Sequence, residues 1–250
     1  MDVEAAYRLF LEERFKFYSK SLRFAELRKG VQALSTFYVQ ERKRLGGSKI
    51  FSSLGKRAAF ELYYAPRHFY LLREILRGLG EPVPAGRLFD LGCGNGICSA
   101  AWASLCQSAP KIVARDISSH AVDQAKVLYR ALDLRANVGR GSVLKMPDVG
   151  AGDILVLGFV VNELSQSDRQ SLKRLLLNRV RKGSGLLLIE PLAKTPSRWW
   201  EEWAEAFPQE KAREEMWKFE VELPTAVFDL GKAAGLRPGH LGARSLYVEP

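Results

Sequence analysis

The chain has 250 residues, 47% hydrophobic and 26% charged, the balance of an ordinary globular protein and enough for one large domain or one domain with an appendage. Its longest apolar run, Ile154 to Val161, is eight residues where a bilayer span needs about 20, and Asp2, Glu4, Glu12 and Glu13 oppose a signal or transit peptide. Three cysteines, Cys93, Cys98 and Cys106, fit neither a disulfide framework nor a four-ligand zinc site, so a reducing, cytoplasmic setting without membrane or metal is the expectation.

The net charge of +10 is uneven: residues 1–85 hold 16 Lys/Arg against 9 Asp/Glu, while the rest of the chain is nearly balanced. A basic segment beside a nearly neutral one implies a polyanion partner, RNA first among them. That segment reads as helical. Val3, Ala6, Tyr7, Phe10, Leu11, Phe17, Tyr18, Leu22 and Ala25 recur at helical spacing, and Gly30 is expected to end the pattern. A second helix is expected over Val31 to Leu45, a loop over Leu45 to Lys56, and a further helix from Arg57. Pro66 should end or kink that helix, or open a new one. GEPVPAG then reads as a linker. The predicted division is a basic helical region over 1–85, binding substrate or acting as a lid, and a second domain over 86–250.

From Arg87 strand and helix alternate. RLFDLG, KIVARDI, ANVGRGSVL, DILVLGFVV and GLLLIEP read as strands. Helices are expected over GICSAAWASLC, Ser119 to Leu132 and SQSDRQSLKRLLLNRVRKG, the last with Ser165 and Asp168 at capping spacing. The region holding Trp199, Trp200, Trp203 and Trp217 reads as largely helical, and AVFDLGKAAG as a last helix. LRPGHLGA and SLYVEP are expected to close the chain as two tightly joined strands. Apolar strands alternating with helices predict a mostly parallel sheet covered on both faces, with an antiparallel last strand.

One stretch carries chemistry. FDLGCGNG places Gly92, Gly94 and Gly96 behind Asp90, at the end of a strand and the start of a helix. Such a turn lets a ligand touch backbone. A dinucleotide fingerprint would need a small residue at position 97, where Ile97 stands, and no Gly-Lys-Ser/Thr follows for a phosphate loop. Asp116 follows Gly96 by 20 residues, at the tip of the second strand, where a carboxylate accepts ribose hydroxyls.

FDLGCGNG followed by VARDIS resembles the S-adenosyl-L-methionine site of class I methyltransferases. The resemblance covers residues 86–250 and implies a Rossmann-like α/β fold: a seven-stranded, mostly parallel sheet with an antiparallel last strand, here preceded by an all-helical N-terminal extension. It also implies roles. Asp90 orients the turn near the methionine amino group, with Cys93 filling the turn. Gly92, Gly94 and Gly96 pass under the ligand, and Asp116, with Ile117 beside it, holds the ribose. Ser142 and Val143 stand where an acid usually meets the adenine. Gly158 and Phe159 complete the cofactor set, and Asn162 and Glu163 face the substrate as the catalytic pair.

Within that superfamily, FELYYAPRHFYLLREIL, FVVNELSQSDRQSLKRLL and GLLLIEP are similar to the methyltransferase-like family of the mitochondrial and bacterial small ribosomal subunit. The likeness implies small-subunit ribosomal RNA as partner. Many relatives carry a metal-linked cysteine cluster, which this chain lacks. The loop GFVVNELS has no Asn/Asp-Pro-Pro-Tyr motif of amino-nitrogen methylation, and no cysteine after Cys106 can serve cytosine C5 chemistry. Methyl transfer to RNA is thus the first expectation. A small-molecule methyltransferase, and a non-catalytic ribosome-assembly or RNA-binding protein keeping the fold, are the alternatives. Three further guesses concern the surroundings. Tyr63, Tyr64 and Arg67 are weighed as a cover for the methionine carboxylate against packed aromatic helix residues, Glu190 as a ligand-facing edge residue against a strand terminator, and Trp199, Trp200 and Trp203 as a base-stacking surface against core or lid.

Overall fold

The computed structural model describes residues 2–40, 53–82, 84, 86–192 and 198–250. The front is helical: α1 (Val3–Ser19), α2 (Phe24–Gln40), α3 (Leu54–Ala59), a wide π-type turn over Phe60–Tyr64, and α4 (Ala65–Gly78), with Pro66 in its first turn. Gly30 does not end a helix. It sits inside α2, because a side chain there would drive into the Gly55 carbonyl of α3. The chain breaks earlier, between Ser19 and Phe24. The expected loop from Leu45 lies outside the described residues up to position 52, and its last three residues, Leu54 to Lys56, open α3. The end of the predicted second helix, 41–45, and part of GEPVPAG also lie outside them.

Then come β1 (Leu88–Leu91), α5 (Ile97–Ala103), β2 (Ile112–Asp116), α6 (Ser119–Ala131), β3 (Ala136–Arg140) and β4 (Ile154–Gly158). After β4 follow α7 (Gln166–Val180), β5 (Gly185–Pro191), α8 (Arg198–Ala206), β6 (Ala212–Glu220), α9 (Thr225–Ala233) and β7 (His240–Val248). Ser165 caps α7 by accepting the Asp168 N–H, as its spacing predicts. The described residues form one seven-stranded sheet in the order β3-β2-β1-β4-β5-β7-β6, in which β7 runs opposite to the other six strands.

Two expectations at the C-terminal end are corrected. Trp217 lies in β6, not in a helix; its ring stacks on Phe219 and its indole N–H donates to Ser245 Oγ at 2.8 Å. LRPGHLGA and SLYVEP are not two strands, since pairing runs unbroken from His240 to Val248 and no turn residue interrupts it. The antiparallel strand therefore arises through α9, not through a tight hairpin.

The central strands β1, β4 and β5 are apolar and buried because both their faces are covered, whereas the edge strands β3 and β6 are polar and partly exposed. In β5, Leu187 and Ile189 face the layer of α1 to α6 and α9, while Leu186 and Leu188 face that of α7 and α8. Trp200 and Trp203 are buried in the second layer. The front helices share the first layer's core, which brings α3 and the π-type turn close to the edge where β1, β2 and β4 end. No described helix is long and apolar enough to cross a membrane. Gly30→Ala is expected to force α2 and α3 apart and cost roughly 1–3 kcal/mol of stability in urea unfolding. An unchanged unfolding midpoint would contradict this packing.

Candidate functional site

Gly92, Gly94 and Gly96 all hold positive φ, at +75°, +54° and +85°. Three left-handed residues in five leave glycine as the unstrained choice. The N–H groups of Gly92 and Cys93 donate to the Arg115 carbonyl at 2.8 and 3.0 Å, which joins the turn to the end of β2. Asp116 completes the joint. One of its oxygens accepts the Gly94 N–H at 2.9 Å and the other accepts the Ser118 N–H at 2.8 Å. Ser118 in turn caps α6.

Asp90 works from beneath. It is fully buried, and one oxygen accepts both the N–H and the hydroxyl of Ser99, at 3.2 and 2.6 Å, tying β1 to the first turns of α5. Its other oxygen is buried and has no hydrogen-bond partner among the described residues. Burial pushes its carboxyl up to about 6, against the Ser99 hydrogen bonds that hold it down. The Cys93 thiol is pushed up first by burial and then by the carboxylates of Asp90 and Asp116, so it is no thiolate nucleophile.

A second construction sits at the ends of β4 and β5. Phe159 follows Gly158 with φ at +64°, a left-handed residue with a bulky side chain. Its N–H donates to the Ile189 carbonyl at 2.7 Å and its ring stacks on His68 of α4 at 4.3 Å. Burial, and then the Arg67 guanidinium, push His68 down to about 3, so it is neutral at physiological pH. Beyond Phe159 the chain makes a short turn over Val161–Glu163 around fully buried Glu190. One Glu190 oxygen accepts the N–H groups of Val161 and Asn162 at 2.7 and 3.2 Å, and the other accepts the Asn162 amide at 2.6 Å. The Asn162 carbonyl oxygen accepts the Trp199 indole N–H at 3.2 Å. Asn162 is therefore held at both ends of its amide, whereas Glu163 is exposed.

The predicted site residues divide by place. The turn glycines, Asp90, Cys93 and Asp116 form one unit, and Gly158, Phe159, Asn162 and Glu163 a second at the next strand ends. Ile117 stands beside Asp116 with 66% of its surface exposed, an apolar face at the sheet edge. Ser142 lies in the loop after β3, where its hydroxyl accepts the Leu144 N–H at 3.2 Å within its own turn, and Val143 is buried. Tyr63, Tyr64 and Arg67 do not cover the turn. Tyr63 is buried against Gly231, the Tyr64 hydroxyl points to the Val31 carbonyl, and Arg67 donates to the carbonyls of Pro238 and His240. Of the tryptophans, Trp200 and Trp203 are core, the alternative to base stacking that their helical spacing favours.

The residues present fit S-adenosyl-L-methionine. A Cβ at Gly94 would meet no atom within 4 Å, so the turn's outer face is open to a ligand. Asp116 accepts one backbone N–H per oxygen, which leaves lone pairs for hydroxyl donors. Among the described residues no cluster of His, Cys, Asp and Glu could hold a metal ion. The role of Glu190 as the pin of the post-β4 turn goes beyond the sequence reading, where its only signal is an acid ending an apolar strand.

A family model described as a methyltransferase domain matches residues 88–183, the span from β1 to the end of α7. No curated protein matches the chain in sequence. Solved structures that resemble it are distant. The YcgJ protein of Bacillus subtilis is 12% identical over 71% of this chain and 97% of its own, with a TM-score of 0.48. The tRNA (uracil-54, C5)-methyltransferase of Pyrococcus abyssi, solved with S-adenosyl-L-homocysteine, is 14% identical over 72% of this chain and 38% of its own, at 0.47. A SAM-dependent methyltransferase of Aquifex aeolicus is 16% identical over 74% and 92%, at 0.43.

Burial pushes Glu190 from its ordinary value of 4.5 up to about 8, against the hydrogen bonds from Asn162 and Val161. Between those values the unfolded chain has released a proton that the fold retains. Stability therefore falls as pH rises, by at most about 1.4 kcal/mol per unit. Relative to Glu190→Gln, the wild type should lose up to about 2–3 kcal/mol between roughly pH 5.5 and 7.5 in urea unfolding. Parallel profiles would contradict the buried titration.

Proposed function

We propose that this chain, an S-adenosyl-L-methionine-dependent methyltransferase by its fold and its matched domain, transfers the methyl group to RNA, specifically to small-subunit ribosomal RNA. The observation that carries the RNA reading is the corner between α1 and α2. Lys16, Lys20, Arg23 and Lys29 are exposed there around Phe17 and Phe24, each 53% exposed. The Arg14 guanidinium lies 4.4 Å over the Phe17 ring. Cations that meet phosphates, interleaved with rings that stack on bases, are the chemistry of a single-stranded RNA surface. Elsewhere in the front, Arg8, Arg14, Arg73 and Arg77 enter ion pairs with carboxylates, as Arg23 does with Glu26 at 3.6 Å. The lysines of the corner are therefore the cations most open to a phosphate backbone. The narrower choice of ribosomal RNA rests on the sequence likeness alone.

When bound, the cofactor supplies a methyl group already activated on a sulfonium. The chain supplies position. Asp116 would accept the ribose hydroxyls, the backbone of Gly92 and Gly94 would underlie the ligand, and Ile117 would offer the adenine an apolar face. Asp90 keeps the turn in register from below. Glu190 holds Asn162 and the post-β4 turn, so that Asn162 presents its remaining amide N–H and Glu163 its carboxylate to the incoming nucleophile. His68, uncharged, stacks on Phe159 and closes one side of it. Catalysis of this kind needs mainly alignment in a site shielded from water.

Tritiated-methyl transfer should label small-subunit RNA and not a metabolite extract. Replacing Lys16, Lys20 and Lys29 by Gln should weaken RNA binding and flatten its salt dependence by about 0.7–0.9 in logarithmic slope for each phosphate no longer neutralised. Label only in metabolites would overturn the RNA reading. Label in neither pool would favour an assembly role without turnover.

A further inference from the structure

The helical front meets the glycine turn at one cleft. Arg57, Phe60 and Glu61 line it from α3 and the π-type turn, Asn95 from the glycine turn, and His120, Ala121 and Gln124 from the start of α6. It adjoins the turn at Asn95, directly after the Gly94 whose N–H is held by Asp116.

The charges in this cleft do not cancel. Glu61 is buried and already engaged: Arg14 donates to both its oxygens, at 2.5 and 3.1 Å, and the Tyr18 hydroxyl donates at 2.7 Å. Arg14 and Glu61 thus neutralise each other. Burial, and then the Arg57 guanidinium, hold His120 below its ordinary value, so it stays uncharged at physiological pH. That leaves Arg57 as the uncompensated charge of the lining. Among the described residues its buried Nε has no hydrogen-bond partner, a costly state for a charged donor unless a ligand completes it. Asn95, in the same lining, is also buried. A guanidinium donor and an amide over a backbone turn match a carboxylate.

We propose that Arg57 binds the α-carboxylate of the cofactor's methionyl portion, so that the helical front holds the amino-acid end while Asp116 holds the ribose. This rests on S-adenosyl-L-methionine as the cofactor, and it gives to Arg57 the role for which the sequence offers Arg67. The front then has a function in cofactor binding, in addition to any engagement of RNA.

The test compares two ligands that differ in that end alone. S-adenosylhomocysteine carries the amino acid; 5′-methylthioadenosine keeps adenine, ribose and thioether and lacks it. By calorimetry, Arg57→Gln should weaken S-adenosylhomocysteine roughly 10- to 100-fold and leave methylthioadenosine within about twofold, with Arg57→Lys recovering some of the affinity. Unchanged affinity for S-adenosylhomocysteine would overturn the proposal. So would equal losses on both ligands, which would mark Arg57 as a residue of the fold. A wild-type protein that binds neither nucleoside would overturn the cofactor assignment beneath it, a result distinct from either.

Discussion

The site depends on one carboxylate serving two strand tips. Asp116 closes β2, receives the Gly94 N–H from the turn after β1, and receives the Ser118 N–H that opens α6. Each bond is ordinary in strength. Together they fix the relative position of two loops that come from different βα units, and they do so with an anion that keeps lone pairs to spare. The turn can hold this shape only because Gly92, Gly94 and Gly96 accept positive φ. The same group therefore organises the turn and is available to hydroxyl donors of a ligand.

Glu190 has the corresponding role at the ends of β4 and β5. It is buried at the end of β5 and gathers Val161 and Asn162 into a turn, while Asn162 reaches on to Trp199 of α8. Phe159, just before, is held in a left-handed conformation, which costs roughly 1–2 kcal/mol for a residue with a Cβ. Strain of this kind persists where the surroundings over-determine it, and it collects at functional edges. A substrate approaching the ends of β4 and β5 would meet a backbone already set in place by Glu190 and by the ring stack of Phe159 on His68.

Much of this is legible in the sequence. β1, β4 and β5 are short apolar runs, β2 and β3 are more mixed, and each of the five lies within a few residues of its expected span. The turn and Asp116 are readable because their chemistry needs fixed residue types at fixed spacing. The features that sequence reading misses depend on approaches between distant segments. Gly30 reads as a stop signal locally, yet its use is the approach of α3, which no local pattern reveals. β6 hides its strand character in AREEMWKFE, where charged residues occupy the exposed face of an edge strand and mimic a helix surface. The sequence offers Arg67 as a cationic cover; only the fold places Arg57 in the cleft and commits Arg67 to the carbonyls of Pro238 and His240. Asn162 reads as facing the substrate in sequence, and is bound at both ends of its amide.

The central proposal is that the glycine turn and Asp116 together hold S-adenosyl-L-methionine. Calorimetric titration of the full chain with that cofactor, on the wild type and on Asp116→Ala, tests it most directly. The expected result is saturable one-to-one binding that the substitution weakens by roughly 10-fold or more, as for loss of a charged acceptor of two hydroxyls. Binding of equal strength in both proteins, or none in the wild type, would contradict it.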